Sequence, residues 1–464
     1  MSLIDRSATD LARAIASGET SSEEVVRAFL ARIDAVNGSL NAIVCRLDDD
    51  ALADARRADA ELAKGTRRGP LHGVPVTLKE SLSMAGKVTS CGSTTLQGNV
   101  TTSDATVVSR IKKAGAIPIG RTNVPDMGMD AQTHNLVWGT TRNPWNLQYS
   151  PGGSSGGEGA AIAARMSPLG LGSDVAGSIR IPAAFCGIVG IKPTQNRVSI
   201  AGHVPYVLPD YLQIGPLARS IDDLEVALAA IAGPDGLQSL VAPVPLGTST
   251  ALPPKPLRVG ILEGSSGVQI SRAVRAGIAR TADACARLGC EVERAEFVEP
   301  ELAVISLSRI FAVEFHRLRG DVSAQPAAYH RYLTDLMQML PPPNLDELHE
   351  AFTLRETLRS RMMACFERFD VLIAPQAGVS GVPIGTTMEI DVDGNAVPFL
   401  ATLGYSLLTN ATGNPSLVLP SGLDGGLPVG VQMIGRMWDE STLFTLARPL
   451  LDALGGVRLP PDGF

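Results

Sequence analysis

The chain is organised around the stretch Ser150-Pro-Gly-Gly-Ser-Ser-Gly-Gly-Glu-Gly159, which is followed shortly by Gly172-Ser-Asp-Val-Ala-Gly-Ser-Ile-Arg-Ile-Pro182. The first segment holds five glycines in ten residues. Glycine at this density is unfavourable inside a helix or a strand, but it lets the backbone pass close to other groups. We therefore expect a loop that carries Ser154 and Ser155, with Ser178 following in a second turn of small residues.

Outward from this stretch, strand-like and helix-like patterns alternate. Val74, Val76 and Leu78 are the apolar positions of a predicted strand that delivers Lys79 at its carboxyl end, where open α/β sheets place their chemistry. Helical spacing predicts helices over 8–17, 22–36, 50–63, 106–114, 160–164, 220–232, 271–288, 345–366 and 440–454. Apolar runs predict strands over 116–119, 168–172, 257–262, 291–298, 371–374, 416–420 and 428–434. This alternation favours an α/β protein with a single large mixed β-sheet flanked by helices on both faces.

The same patterns predict one domain over residues 1–464. Residues 1–65 form an N-terminal helical layer, and the Pro-rich segment 241–256 is an internal linker. Strands are predicted on both sides of this linker, which favours one sheet over two independent domains.

Composition excludes several classes of function. The net charge of −7, from 40 basic and 47 acidic residues, leaves no basic stripe, so we expect no nucleic-acid partner. The N-terminus lacks an apolar signal region and no run of 18 apolar residues occurs, so we expect neither a signal peptide nor a membrane span. The six cysteines form no C-x-x-C pair, which predicts buried thiols, a cytoplasmic location and neither metal nor cofactor.

Two serine motifs compete for the role of nucleophile and are disfavoured. One motif is the G-x-S-x-G nucleophile elbow, which matches Gly152-Gly-Ser154-Ser-Gly156. That motif needs an apolar strand before the serine, whereas the sequence predicts a loop over residues 143–151. Ser109-Arg-Ile-Lys112 matches S-x-x-K, but it lies on a predicted amphipathic helix, and the chain has no S-D-N or K-T-G partner motif.

A third interpretation is a resemblance. Lys79 after its Gly-Val-Pro-Val strand and the two opening segments together resemble the amidase signature family. Ser154 and Ser178 lie 24 residues apart, as the relay serine and the nucleophile do in that family. The resemblance continues through Gly187-Ile-Val-Gly-Ile-Lys-Pro-Thr194, Gly215-Pro-Leu-Ala-Arg-Ser220 and Asn410-Ala-Thr-Gly-Asn-Pro-Ser416, and so spans most of the chain.

The resemblance implies a serine amidohydrolase that needs no cofactor. Ser178 would attack the substrate carbonyl and form an acyl-enzyme, Ser154 would relay its proton, and neutral Lys79 would be the base. A lysine is a base only when burial lowers its pKa by several units. The family also implies a cis peptide between Gly153 and Ser154.

Other roles follow from the turn before Ser178 and from the residues around it. Small residues can point successive backbone N–H groups into a concavity, so an oxyanion hole is expected from Val175, Ala176, Gly177 and Ser178. Three side chains are expected to support the loop rather than to touch substrate: Ser155, Asp174 and Arg180.

The substrate pocket is predicted from two segments. Met127, Gly128 and Met129 lie where relatives line the acyl side. The candidates for the rim are Tyr206 and Tyr211, with His203 on the same loop. The expected partner is an apolar small molecule: an amide by default, with esters and carbamates feasible.

The chain departs from the family pattern at two positions. It has Glu80 where the family commonly has Asp, and Leu212 where the family has the Asp of Asp-x-x-Gly-Pro. We expect both departures to lie near substrate or the pocket rim, so that specificity would differ more than chemistry.

Two other functions stay open at this point. One is the catalytic subunit of a glutamine-dependent tRNA amidotransferase, which has the same triad but works in a complex. The other is a non-catalytic binding scaffold, against which the retention of all three triad residues argues. The sequence leaves the oligomeric state open, a homodimer included.

Overall fold

The computed structural model describes residues 2–249, 251–253, 255–265, 267–295, 299–461 and 463–464, and its core is one eleven-stranded sheet. The strands are β1 (Ile43–Arg46), β2 (Pro75–Lys79), β3 (Ile117–Thr122), β4 (Leu169–Asp174), β5 (Val189–Lys192), β6 (Gln213–Ala218), β7 (Arg258–Ile261), β8 (Glu291–Arg294), β9 (Val371–Pro375), β10 (Ser416–Asp424) and β11 (Leu427–Gly435). Their order across the sheet is β1-β3-β2-β4-β6-β5-β10-β11-β9-β7-β8.

The sheet mixes parallel and antiparallel pairs. Strands β3, β2 and β4 run parallel to one another, as do β9, β7 and β8, while the strands between these groups pair antiparallel. Strands from both sides of segment 241–256 therefore join the same sheet, which confirms the predicted fold class. The described residues of that segment contain no helix or strand, and its role as a linker stays a prediction.

Helices cover the sheet. They are α1 (Ala8–Ser17), α2 (Ser22–Leu40), α3 (Asp48–Ala63), α4 (Thr106–Lys113), α5 (Gly156–Ala163), α6 (Arg180–Cys186), α7 (Ile221–Ile231), α8 (Arg272–Arg287), α9 (Pro300–Ala324), α10 (Arg331–Met339), α11 (Leu345–Arg368), α12 (Gly404–Thr412) and α13 (Glu440–Ala453). Helix α2 begins with the capping box of Ser21 and Glu24 that its sequence predicts. Within the described part of the chain, no helix has the length and hydropathy needed to cross a membrane.

The glycine-rich segment corrects one expectation. Gly156, Gly157 and Gly159 lie inside helix α5 rather than in a loop. Close packing explains their presence: a Cβ at Gly157 would lie 2.4 Å from the backbone nitrogen of Asn123, and one at Gly156 would lie 2.2 Å from Thr133 Oγ1. Glycine is needed there because a neighbouring segment approaches the helix, and this need outweighs its low helix propensity.

Helices α9 and α10 form a unit that the sequence patterns did not predict. They enclose a second apolar cluster, separate from the main core, which consists of Phe315, Val322, Tyr329, Leu333 and Met337. We call residues 300–340 the cap. The N–H of His330 donates to Asp126 Oδ2 at 2.7 Å, and Thr94 Oγ1 donates to the carbonyl of Ala328 at 2.6 Å. These bonds fasten the cap to the segments that precede the glycine-rich stretch.

Short elements complete the fold. Two-stranded sheets join His134–Asn135 to Gly139–Thr140, Tyr149–Ser150 to Val382–Pro383, and Glu389–Val392 to Asn395–Pro398. Single 3-10 turns cover Leu3–Asp5, Thr94–Leu96, Asp126–Gly128, Pro326–Ala328 and Phe399–Thr402.

Candidate active site

Lys79 ends β2 and is buried, with 1% of its surface exposed. Strand β4 lies beside β2 in parallel, with Leu78 opposite Leu171, so the carboxyl ends of both strands meet at one edge of the sheet. The Lys79 Nζ lies 2.7 Å from Ser154 Oγ and 2.9 Å from Ser173 Oγ. The amine thus contacts two hydroxyls at the end of the strand where the sequence places it.

The surroundings of Lys79 favour its neutral form. Burial lowers the pKa of Lys79 to about 8, although the carboxyls of Asp174 and Glu158 oppose this shift. Burial also raises the pKa of Glu158 to about 8, while hydrogen bonds from Thr77 Oγ1 at 2.6 Å and Thr122 Oγ1 at 2.9 Å act against that rise. About one tenth of Lys79 is therefore neutral at pH 7 and able to act as a base, and this fraction rises with pH.

Ser154 and Ser178 are brought to the same cavity. The peptide between Gly153 and Ser154 is cis. The N–H of Ser155 donates to the carbonyl of Ser178 at 3.1 Å, so the two serine loops touch through their backbones. Both serines and Lys79 line one cavity. Within the described chain, no hydrogen bond joins the hydroxyls of Ser154 and Ser178.

Asp174 holds the loop that carries Ser178. Its two carboxylate oxygens accept the N–H of Gly177 at 2.8 Å and that of Ile179 at 3.1 Å. They also form a bidentate ion pair with Arg180, whose Nε and Nη2 donate to Oδ2 at 2.9 Å and to Oδ1 at 3.0 Å. Burial alone would raise the pKa of Asp174, but Arg180 offsets it and holds that pKa below its usual range. The structure therefore places Asp174 and Arg180 where they fix the loop from inside.

The predicted oxyanion hole is only partly available. The N–H of Gly177 already donates to Asp174, which removes it from the predicted set. Among the described residues, no hydrogen bond uses the N–H groups of Val175, Ala176 or Ser178, and these three residues also line the cavity. Stabilisation of a negatively charged oxygen by those N–H groups stays a prediction.

The cavity has a volume of about 150 Å³ and is mostly apolar. Met127, Gly128 and Met129 line it, as the sequence predicts, while the cap and neighbouring elements contribute leucine and phenylalanine side chains. Among these are Leu307, Phe311, Phe315, Leu336, Leu403 and Leu407.

The two predicted rim tyrosines need correction, because neither is among the cavity-lining residues described. Tyr206 is 61% exposed and lies at the surface. Tyr211 is buried, packed edge-on against Phe311 and beneath the guanidinium of Arg355. It therefore supports a lining residue without reaching the cavity.

The two departures from the family pattern lie in different places. Glu80 is fully buried outside the cavity lining, where its carboxylate accepts the N–H groups of Ser90 at 2.7 Å and Gly92 at 3.3 Å. Leu212 does line the cavity, so this departure changes the surface that faces substrate.

Sequence reasoning assigned no role to Ser173 and considered His203 only as part of the rim. Ser173 Oγ bridges Lys79 and His203, lying 2.8 Å from His203 Nε2. Ser155 supports the same strand end, since its hydroxyl donates to the carbonyl of Ser173 at 3.2 Å. The position of Ser173 next to Asp174, on a strand parallel to β2, was the available signal for its proximity to Lys79. No feature of the sequence around His203 indicated its contact with Ser173, because His203 lies on a loop that is separated from Ser173 along the chain.

No group of three His, Cys, Asp or Glu side chains that could hold a metal ion occurs among the residues that the structure describes. The polar groups that line the cavity are mainly hydroxyls, with the carboxyl of Asp130, the imidazole of His203 and the amine of Lys79.

Comparison with known proteins places this geometry in a family. The family model described as Amidase matches residues 24–444. A glutamyl-tRNA(Gln) amidotransferase subunit from Acidothermus cellulolyticus is 36% identical, over 97% of this chain and 94% of that protein.

Solved structures agree in fold. A chain from a vestigial protein complex connected with the origins of an s-triazine catabolic enzyme superposes with a TM-score of 0.89 at 34% identity, covering 98% of this chain and all of that one. A bacterial aryl acylamidase of the amidase signature family gives a TM-score of 0.86 at 25% identity, covering 97% of this chain and 96% of that one. The chain therefore belongs to the amidase signature family, whose members are hydrolases that act on amides.

Proposed function

We propose that this protein hydrolyses carboxylic amides with apolar substituents, using Ser178 as nucleophile, Ser154 as proton relay and Lys79 as base. The observation that carries the proposal is the 2.7 Å contact between Lys79 Nζ and Ser154 Oγ in a cavity that Ser178 also lines. Esters and carbamates have the same acyl carbon, so they fall within the proposed chemistry.

The reaction begins with proton transfer. As Ser178 Oγ attacks the carbonyl carbon, its proton passes to Ser154 Oγ, whose own proton passes to neutral Lys79. The proposal requires the Ser178 side chain to turn towards Ser154 when substrate binds, since reactive hydrogen bonds often form only in the complex. The developing oxyanion is stabilised by the N–H groups of Val175, Ala176 and Ser178.

Collapse of the tetrahedral intermediate breaks the C–N bond. The proton held by Lys79 returns through Ser154 to the leaving nitrogen, so the amine departs neutral and Ser178 remains acylated. Water then attacks the acyl carbon by the same relay, which releases the carboxylic acid and restores the hydroxyl of Ser178.

The cavity lining supports an apolar substrate. Its surface is dominated by leucine, phenylalanine and methionine side chains, and such pockets bind through removal of apolar area from water. Among the described lining residues, Asp130 has the one carboxyl group, and it lies 2.6 Å from His134 Nε2. A substrate with strongly charged groups would find few partners here.

A second candidate is the catalytic subunit of a glutamine-dependent tRNA amidotransferase. The relative from Acidothermus cellulolyticus is named as part of a tRNA amidotransferase and aligns over nearly the whole chain, so by name the relatives favour this candidate over the first. The cavity favours the first. Free glutamine has a carboxylate that needs a cation. Among the described lining residues, the basic side chains are Lys79 and His203; both already contact Ser173, and burial lowers the pKa of His203 to about 3, so that its ring is uncharged.

The test is hydrolysis of chromogenic anilides, aryl esters and aryl carbamates with apolar acyl groups by the purified chain alone, without ATP or other proteins. We expect turnover of the anilides, and Ser178→Ala to lower kcat/KM by about 10³-fold or more. Ser39→Ala, a substitution at an exposed helical serine, is the control and should change it less than about twofold.

Failure of the folded wild type on all three substrate classes would contradict the proposal. Release of ammonia from glutamine only after partner subunits are added would support the second candidate instead. Activity of Ser178→Ala within tenfold of wild type would overturn the assignment of the nucleophile.

A further inference from the structure

We propose that His203 is a positioning residue that turns the lone pair of Lys79 towards Ser154. The inference deepens the proposed function and rests on Lys79 being the base. It concerns hydrogen-bond direction along the path from His203 through Ser173 to Lys79.

The contacts of His203 fix its tautomer. Its Nδ1 lies 2.9 Å from the carbonyl oxygen of Pro205, which can only accept a hydrogen bond. Nδ1 must therefore carry the proton of the neutral ring, and Nε2 becomes an acceptor. Because Nε2 lies 2.8 Å from Ser173 Oγ, the hydroxyl of Ser173 donates to it.

The hydrogen bond to Ser173 determines the direction in which the Lys79 amine donates. A neutral lysine has two N–H donors and one lone pair. The single proton of the Ser173 hydroxyl is engaged with His203, so Ser173 Oγ accepts an N–H from Lys79 at 2.9 Å. The carbonyl of Ser173, 3.5 Å from Nζ, is a further acceptor on the same side. The lone pair is left for the contact at 2.7 Å, where Ser154 Oγ can donate its proton.

Removal of His203 would change the direction of the Ser173 hydroxyl. The Ser173 hydroxyl is buried and would lose its acceptor, which is unfavourable for a donor shielded from water. Its proton can then turn to the lone pair of Lys79 and compete with Ser154. The base would be present and neutral but directed at the wrong hydroxyl.

The His203 ring stays neutral over the working pH range. Burial and the nearby Lys79 lower its pKa to about 3, with the bond to Pro205 acting in the opposite direction. Besides His203, the titratable groups that act on Lys79 are the thiol of Cys91 and the carboxyls of Asp174 and Glu158. All three are left unchanged by the substitutions below.

The experiment measures the rate at which a fluorophosphonate labels the protein as a function of pH. In this reaction the bond between Ser178 Oγ and phosphorus forms, the P–F bond breaks, fluoride leaves, and the serine proton passes through Ser154 to Lys79. Labelling needs no knowledge of the natural substrate. Wild type is compared with His203→Leu, which removes the acceptor, and with His203→Gln, whose amide oxygen can accept from Ser173.

We expect His203→Leu to lower the labelling rate at neutral pH by about tenfold or more and to move the pH midpoint downwards, because a hydrogen bond to the lone pair stabilises neutral Lys79. His203→Gln should stay within about fivefold of wild type with an unmoved midpoint. Tyr206→Ala, an exposed change on the same loop, is the control and should match wild type.

The outcomes separate the two proposals. Wild type that is not labelled at Ser178 would contradict the proposed function. Labelled wild type with an equal rate and midpoint in His203→Leu, or an equal loss in His203→Gln, would overturn the role of His203. If His203→Leu does not fold, His203→Phe tests the same link, because its ring is of similar size and lacks an acceptor nitrogen, and an unchanged labelling rate and midpoint in that variant would overturn the inference.

Discussion

Two regions face the same cavity and are stabilised in different ways. The serine–lysine layer, formed by the ends of β2 and β4 with residues 150–155 and 175–179, is held by directed hydrogen bonds between buried groups. The cap is stabilised mainly by an apolar cluster of its own, with hydrogen bonds from the His330 N–H and the Thr94 hydroxyl that fasten it to the rest of the protein. Its side chains Ile305, Val313 and Met339 are exposed to solvent.

This contrast shows how the protein divides its work. Each bond in the serine–lysine layer needs one residue type at one position, because a donor must meet an acceptor within about 3 Å. The apolar contacts of the cap can be made by many combinations of similar volume. The catalytic rate should therefore be sensitive to the loss of single hydrogen-bonding atoms in the serine–lysine layer. Substrate selectivity should change gradually with the volume of the side chains in the cap.

The largest effect is expected at Lys79. Lys79→Met should lower kcat by about 10³-fold or more, because Ser154 would have no acceptor for its proton. Lys192→Met is the matched control, since Lys192 is equally buried but its amine donates to the carbonyl of Pro193 at 2.9 Å. Steady-state rates of both variants, with melting temperatures to verify folding, check this prediction. A comparable loss in both would mean that burial, rather than contact with Ser154, sets the effect.

The next largest effect is expected at Asp174. Asp174→Asn retains the shape but has a single acceptor oxygen, so the N–H of Gly177 or that of Ile179 loses its partner. We expect kcat to fall by about 10- to 100-fold as the Ser178 loop loosens. A kcat within twofold of wild type would show that the loop is fixed without Asp174.

The cap should respond differently. Phe311→Ala enlarges the cavity, and we expect the ratio of kcat/KM for an aryl-acyl anilide to that for the acetyl anilide to fall about tenfold, as apolar contact area is lost. Val313→Ala, at a 42% exposed position on the same helix, should leave the ratio unchanged. Equal losses for both anilides in Phe311→Ala would place this residue in the chemistry rather than in selectivity.

The smallest predicted effect is on pH dependence. Since burial lowers the pKa of Lys79 to about 8 and the neutral amine is the reactive form, kcat/KM should rise with pH through a midpoint of about 8 and level off above about pH 9. The plateau should exceed the value at pH 7 by about tenfold. A pH profile on the acetyl and aryl-acyl anilides checks this, and both should share one midpoint, because among the described residues the groups that shift the pKa of Lys79 lie outside the cap. A rate that falls as pH rises through 8 would contradict a neutral lysine base.

The sequence was more informative about the serine–lysine layer than about the cap. The positions of Lys79, Ser154 and Ser178 at one cavity could be anticipated because they lie in fixed blocks with fixed spacing. The strand patterns likewise predicted the single mixed sheet. The triad roles themselves remain predictions that the experiments above test.

The rest depended on contacts between distant segments. The glycines of α5 are typical of a loop in the sequence alone. The reason for them in a helix is the close approach of Asn123 and Thr133, which come from other parts of the chain. The hydrogen bond from the Gly177 N–H to Asp174 depends on the orientation of the Asp174 side chain. The exposure of Tyr206 depends on the conformation of its loop. The sequence did not predict helix α9. Its apolar residues pack both in the cap cluster and in the main core, so they do not follow the spacing of a helix with a single apolar face.

The most direct test of the account is to trap the acyl-enzyme. An aryl ester is mixed with the enzyme and quenched in acid within the first turnover, and the acylated peptide is mapped by mass spectrometry. The account predicts one acyl group on Ser178 in wild type and markedly slower formation of the same adduct in Lys79→Met. An acyl group on Ser154 instead, or turnover with no adduct and no burst of aryl alcohol, would contradict it.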